Sequence, residues 1–146
     1  MRKTSKSSPR AAHARSSSDP RPVSPSQPIS AFLPLSTVGL NGRLWIEIGG
    51  ERFFGPGPVQ LLEYIEETGS INQAAKKMEM SYKKAWSIIN NLNTSALRPL
   101  VLTATGGQKG GGSTISPEAK ALITYYHDLH QRFKQFLQAE TLRISK

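Results

Sequence analysis

A mainly α-helical fold with short β-hairpins is predicted by three features: two amphipathic helical patterns separated by a tight break, a Gly-Gly reversal within a strand-like run, and a long helical pattern near the C-terminal end. The break lies inside Ser70 to Asn93, which reads SINQAAKKMEMSYKKAWSIINNLN. Ser70 followed by Gln73 is a capping-box pair, in which the serine hydroxyl accepts from a backbone N–H and the glutamine side chain reaches back. Ile71, Ala74, Ala75 and Met78 then recur at i, i+3, i+4 and i+7, one apolar stripe with Lys76 and Lys77 off it. Ser81 is a second N-cap, after which Ala85, Ile88, Ile89 and Leu92 repeat the spacing. Two short helices joined by a turn of three or four residues have the arrangement of a helix-turn-helix.

Rotation by about 100° per residue from the second stripe places Lys83, Ser87 and Asn90 opposite the core, with Lys84 and Asn91 on one flank and Trp86 on the other. Ser81 and Tyr82 fall at the N-terminal tip, the end that meets base edges in this motif. Asparagine pairs with adenine, lysine reaches guanine acceptors or phosphates, and aromatic groups touch the thymine methyl. The candidate DNA-binding residues of the motif are therefore Ser70, Gln73, Lys76, Lys77, Ser81, Tyr82, Lys83, Lys84, Trp86, Ser87 and Asn90. Any small helical bundle also turns a polar face to water, so charge and flanking elements must decide.

The 146 residues suit one core and carry a formal net charge of +9. That balance favours anionic polymers or anionic surfaces as partners. Between Lys76 and Lys109 the cations Lys76, Lys77, Lys83, Lys84, Arg98 and Lys109 face only Glu79, whereas Glu47, Glu51, Glu63, Glu66 and Glu67 make the preceding region acidic. The absence of cysteine excludes disulfides, thiolate metal sites and cysteine nucleophiles. No apolar run approaches the roughly 18 to 20 residues of a membrane span, and the N-terminus lacks an apolar signal region, so a cytoplasmic chain without a membrane partner is expected.

Residues 1–37, rich in Ser, Pro and Arg, hold almost no large apolar side chain before Ile29 and are expected to form a disordered basic tail ahead of one domain over residues 38–146. In RLWIEIGGERFF, from Arg43 to Phe54, Leu44, Ile46 and Ile48 alternate around Trp45 and Glu47, and Gly49-Gly50 marks a two-residue hairpin. Pro58 is the expected first residue of a helix lined by Val59, Leu61, Leu62 and Ile65 and ended by Gly69.

After Asn93, Leu100 to Thr105 and Ser113 to Ile115 flank a glycine-rich loop, GGQKGGG. A hairpin directly after a candidate recognition helix is the wing of a winged helix-turn-helix, where Gln108, Lys109 and backbone amides can meet phosphates. The loop does not fit a nucleotide-phosphate cradle: counted from Gly106, the required lysine falls on Gly112, and no helix pattern follows at once. Ser116-Pro117-Glu118 starts a helix expected to run to about Glu140. Leu122, Tyr126, Leu129, Phe133 and Phe136 alternate spacings of four and three, the seam of a coiled coil, and are the candidate dimer interface. The alternative is a helix that caps its own core. His127, Asp128 and His130 on its polar side read as solvated residues, not as metal ligands.

The run GRLWIEIGGERFFGPGPVQLLEYIEETGSINQAAKKMEMSYKKAW, with the GGQKGGG loop and the long final helix, closely resembles the N-terminal winged helix-turn-helix domain of the ModE family of molybdate-responsive transcriptional regulators. The likeness covers about Leu40 to Ala139, and its helix-turn-helix portion is also similar to that of LysR-type regulators. The resemblance implies a dimer that reads a palindromic promoter site in double-stranded DNA, with Ser81, Tyr82, Lys83, Lys84 and Trp86 in the recognition helix and the final helix in the dimer contact. Full-length members of that family carry oxyanion-binding modules after this helix. The present chain ends at Lys146, so molybdate binding is not expected of it alone, and no cofactor or metal is expected. Two other classes compete: a winged-helix protein-interaction or assembly module without specific DNA readout, and an enzyme, for which no nucleophilic triad, metal spacing or phosphate loop is found.

Overall fold

The computed structural model describes residue 22, residues 24–104 and residues 112–145. An antiparallel hairpin pairs β1 (Ile46–Ile48) with β2 (Glu51–Phe54) through Gly49 and Gly50, at φ 61° and 85°. Two successive positive φ values match a type I′ reversal, which glycine adopts without a Cβ clash. The plain alternation expected from Leu44 to Ile48 does not hold. A register shift between Ile46 and Glu47 leaves Ile48 exposed, while Phe53 and Phe54 on the partner strand are both buried.

Helix α1 (Pro56–Thr68) starts two residues ahead of the expected Pro58. Both prolines are tolerated there, because a first-turn N–H has no intrahelical acceptor to lose. The helix ends at Gly69, in the left-handed conformation, with its N–H on the carbonyl of Ile65. Helix α2 (Ile71–Lys77) begins at the N-cap Ser70, whose hydroxyl accepts from the Gln73 N–H at 3.1 Å. The other half of the expected capping box is replaced, because the Ser70 N–H donates to the Thr68 hydroxyl and not to Gln73. Helix α3 (Tyr82–Ser95) begins at Ser81, whose hydroxyl accepts from the Lys84 N–H at 3.0 Å.

The turn between α2 and α3 has a Schellman pattern. The Met80 N–H reaches the Ala75 carbonyl, the Glu79 N–H reaches the Lys76 carbonyl, and Glu79 between them adopts φ 55°. A left-handed conformation costs a residue with a Cβ about 1–2 kcal/mol, so the surrounding helix contacts hold Glu79 against its preference.

Strands β3 (Val101–Thr103) and β4 (Ser113–Ile115) form a second antiparallel hairpin after α3. Asn93, in the last turns of α3, ties the two elements together. Its amide oxygen accepts from the N–H groups of Leu100 and Val101, at 2.8 and 3.1 Å, and its amide nitrogen donates to the Val101 carbonyl at 3.1 Å. Helix α4 (Pro117–Ser145) follows, several residues longer than the expected end near Glu140. The Ser116 hydroxyl accepts from the Ala119 N–H and donates to the Pro99 carbonyl, which fixes the start of α4 to the loop leaving α3.

The core gathers one face from each helix: Leu61, Leu62 and Ile65 of α1, Ala74 and Ala75 of α2, Ala85, Ile89 and Leu92 of α3, and Ala119, Ile123 and Tyr126 of α4, closed by Phe54 and Val101. Each large apolar side chain so buried contributes about 1.5–3 kcal/mol. Tyr126 meets Phe54 edge to face at 5.8 Å and donates its hydroxyl hydrogen to the Leu44 carbonyl at 2.8 Å. One member of the expected α4 seam therefore lies in its own chain's core, because the helix docks on a face centred on Ala119, Ile123 and Tyr126.

The tail expected over residues 1–37 falls mostly outside the described residues. Its last part forms two short 3-10 turns, Ile29–Ala31 and Leu35–Thr37, beside the distal part of α4, where the Leu40 N–H donates to the Thr141 hydroxyl.

Two outcomes are expected. Glu79→Gly should stabilise the chain by about 0.5–1 kcal/mol in denaturant unfolding, since relief of the left-handed strain exceeds the added freedom of the unfolded chain. Burial holds the Tyr126 phenol above its ordinary value of 10.0, against a smaller opposing pull from Arg43. The unfolded chain then loses the proton first, so the tyrosine's contribution is intact below about pH 10 and declines as pH rises through the folded-state value. Tyr126→Phe should cost about 0.5–1.5 kcal/mol at pH 8, and the gap between variant and parent should narrow above pH 10.

Candidate nucleic-acid interface

The apolar stripe of α3 fixes which side chains point outward. With Ala85, Ile89 and Leu92 buried against α1 and α2, the opposite face carries Lys83, Ser87 and Asn90, all exposed, with Ser81, Tyr82 and Lys84 exposed at the N-terminal end. The structure thus leaves five of the expected α3 residues and their cap Ser81 accessible. Trp86 differs, since it is half-buried and packs partly against the core.

Hydrogen bonding separates the polar residues of α3. The side-chain amide of Asn90 has no partner among the described residues and remains free for an external acceptor or donor. Asn93, three residues on, has its amide engaged by three hydrogen bonds to the backbone of Leu100 and Val101 at the start of β3. Sequence reading did not single out Asn93. The available signal was an asparagine on the inward side of the helix, four residues beyond Ile89, where a buried amide requires a built-in partner. Ser70 and Ser81 hold their helix starts as hydrogen-bond acceptors, so their roles are local first.

The cations divide in the same manner. Lys83 and Lys84 have no ion-pair partner among the described residues, nor does Lys76, which is exposed on α2 beside Gln73. Lys77 turns back toward α1, with its ammonium 3.5 Å from a Glu67 carboxylate oxygen and 5.3 Å from the Tyr64 ring centroid. The acids of α1 face other elements: Glu66 pairs with Lys120 at 3.5 Å, and Glu63 meets His127 Nε2 at 2.7 Å. These pairs are exposed, so each contributes little to stability, but among the described residues no carboxylate pairs with the cations of α3. Glu79, in the turn, is the one acid of that segment.

Gln108 and Lys109 lie outside the described residues. The strands on either side are fixed: the Ala104 N–H donates to the Gly112 carbonyl at 2.9 Å, and the Ser113 N–H donates to the Gly69 carbonyl at 2.9 Å, next to the start of α2. The β3–β4 hairpin therefore emerges beside both α2 and α3. Among the described residues no group of three or more His, Asp or Glu side chains is placed to hold a metal ion, and no helix is long and apolar enough to cross a membrane.

Of the expected α4 interface, Tyr126 is buried and Leu122, Leu129 and Phe133 are half-buried, Phe133 lying against Gly42. Phe136 is exposed. Tyr125, which the seam spacing omits, is 54% exposed and stands on the same side of α4 as Leu129 and Phe136.

No protein-family model matches the chain. Among curated proteins it is 40% identical over 92 residues to "Transcriptional regulator ModE" of Haemophilus influenzae, a match covering 63% of this chain and 36% of that protein. It is 36% identical over 88 residues to "Molybdenum transport protein ModE" of Azotobacter vinelandii, covering 60% and 33%. It is 39% identical over 88 residues to "DNA-binding transcriptional dual regulator ModE" of Escherichia coli K12, covering 60% and 34%. The chain spans about a third of the length of the curated relatives it matches. Across about three fifths of its own length, this chain is similar to the ModE proteins.

Proposed function

We propose that this chain is a sequence-specific DNA-binding transcriptional regulator, built as a winged helix-turn-helix and acting as a homodimer on a palindromic promoter site. The observation that carries the reading is the outer face of α3, where exposed Lys83, Ser87 and Asn90 stand opposite a buried apolar stripe and Lys83 has no ion-pair partner among the described residues. A rigid helix with free donors and acceptors on one face suits base edges in a major groove, and it is held with its N-terminal end outward. The names of the Haemophilus and Escherichia relatives, a transcriptional regulator and a DNA-binding dual regulator, support the same class.

In this reading Lys76, Lys84 and Lys109 contact phosphates and supply affinity that falls with salt, while Ser81, Tyr82, Lys83, Ser87 and Asn90 face the bases. The helix face with Leu122, Tyr125, Leu129 and Phe136 joins two copies, so that two α3 helices meet successive major grooves. Nothing in the mechanism calls for a bound cofactor, and catalysis has no part in it. Regulation of promoter DNA places the chain in the cytoplasm.

Selection of bound duplexes from a random pool, at physiological salt, tests the reading. An inverted repeat with half-sites about one helical turn apart is the expected result. On that sequence Lys83→Ala and Asn90→Ala should each lose about 1–3 kcal/mol of preference at defined positions. Lys109→Ala should weaken all sequences alike and reduce the salt slope by about one. Absence of any enriched sequence would favour a protein-interaction module and defeat the specific-regulator reading.

A further inference from the structure

Tyr82 and Trp86, four residues apart on α3, wall one side of an open groove of about 510 Å³. The groove runs between the tip of α3, the start of α2 at Ser70 to Asn72, and the base of the β3–β4 hairpin at Thr103, Ala104, Gly112 and Ser113. The two rings meet edge to face, with centroids 6.2 Å apart and planes at 79°. Trp86 is held against the core and so braces Tyr82, whose side chain stays about half exposed. An exposed aromatic ring fixed in this way has little rotational freedom left to lose on contact.

The groove's chemistry differs from that of the adjoining face. None of the described side chains lining it carries a charge. Of its hydroxyls, that of Ser70 caps α2 and that of Ser113 is buried, while those of Thr103 and Tyr82 stay exposed at its edge. The accessible surface left on the α3 wall is aromatic. Lys83, Ser87 and Asn90 point to the outer face and Lys84 to the opposite flank, so the ammonium and amide groups of α3 lie beside the groove, and the amide that borders it is that of Asn72 on the α2 side.

We propose that this groove receives the C5-methyl group of a thymine, making Tyr82, braced by Trp86, a specificity-determining contact of the DNA-reading surface. The inference rests on the functional reading given above. A duplex laid along the outer face of α3 presents its base edges to the flank where Tyr82 stands. Among the groups on those edges the thymine methyl is the apolar one, the others being donors or acceptors. A cation would serve any phosphate alike, whereas an uncharged aromatic wall gains only where an apolar group replaces water.

The test uses the full chain and the duplex enriched by selection, with each thymine replaced in turn by deoxyuridine, which keeps every hydrogen-bonding group and removes only the methyl. Burial of one methyl corresponds to about a fourfold change in affinity. The parent chain and Tyr82→Phe should both bind about fourfold more weakly when uracil stands at one particular position of either half-site. Tyr82→Ala, at an exposed position that leaves the core intact, should bind thymine and uracil duplexes equally. A duplex with no thymine-sensitive position, or a sensitivity that persists in Tyr82→Ala, would overturn the inference while leaving sequence-specific binding in place. Failure of the parent chain to bind any duplex would overturn the functional reading and this contact together.

Discussion

Burial of the inner stripe of α3 is the constraint on which the rest of the structure depends. Ala85, Ile89 and Leu92 pack against α1 and α2, and that single choice of face decides which side chains meet solvent. A slide of one residue along the helix would rotate the outer face by about 100° and bury a lysine or an asparagine. Asn93 adds a polar lock to this apolar one. Three hydrogen bonds from its amide set where β3 begins, so the hairpin's placement follows from that of the helix. Lys83, Ser87 and Asn90 are therefore positioned by residues that never face the same direction as they do.

Much of this was legible in the chain because the local signals and the tertiary fold agree. Ser70 and Ser81 cap the helices expected of them, and Gly49-Gly50 and Gly69 take the positive φ values their places demand. The departures have physical causes. Glu79 occupies a left-handed turn position that a residue type alone does not reveal, because the helix on either side imposes it. The pattern of spacings on α4 is compatible with two neighbouring faces, and only the position of Phe54 and Leu44 shows that Tyr126 turns inward. The role of Asn93 needed the β3 backbone as a partner, which no spacing within the helix contains. Lys77 likewise looked equivalent to Lys76 until Glu67 and the Tyr64 ring supplied it with neighbours.

Charge is arranged by the same packing. The carboxylates of α1 lie along α2 and α4, where Lys77, Lys120 and His127 answer them. Their fields are spent locally and are screened within about 10 Å at ordinary salt. Lys83 and Lys84 of α3 have no such partners among the described residues, so their positive charge is left on the side that the core turns outward. The aromatic pair at the edge of that side adds an apolar patch to a polar one. A surface of this kind combines sequence-independent attraction with groups able to tell bases apart, which is the division of labour that DNA recognition requires.

The most direct test of the account is to follow the backbone amide resonances of the full chain by NMR while a selected duplex is added. Large shifts are expected at residues 81–90 and at the strand ends beside them, Thr103, Ala104, Gly112 and Ser113, with smaller shifts near Lys76. Shifts concentrated on α4 around Tyr125, Leu129 and Phe136, with α3 unmoved, would contradict it and would show that the outer face of α3 does not meet DNA.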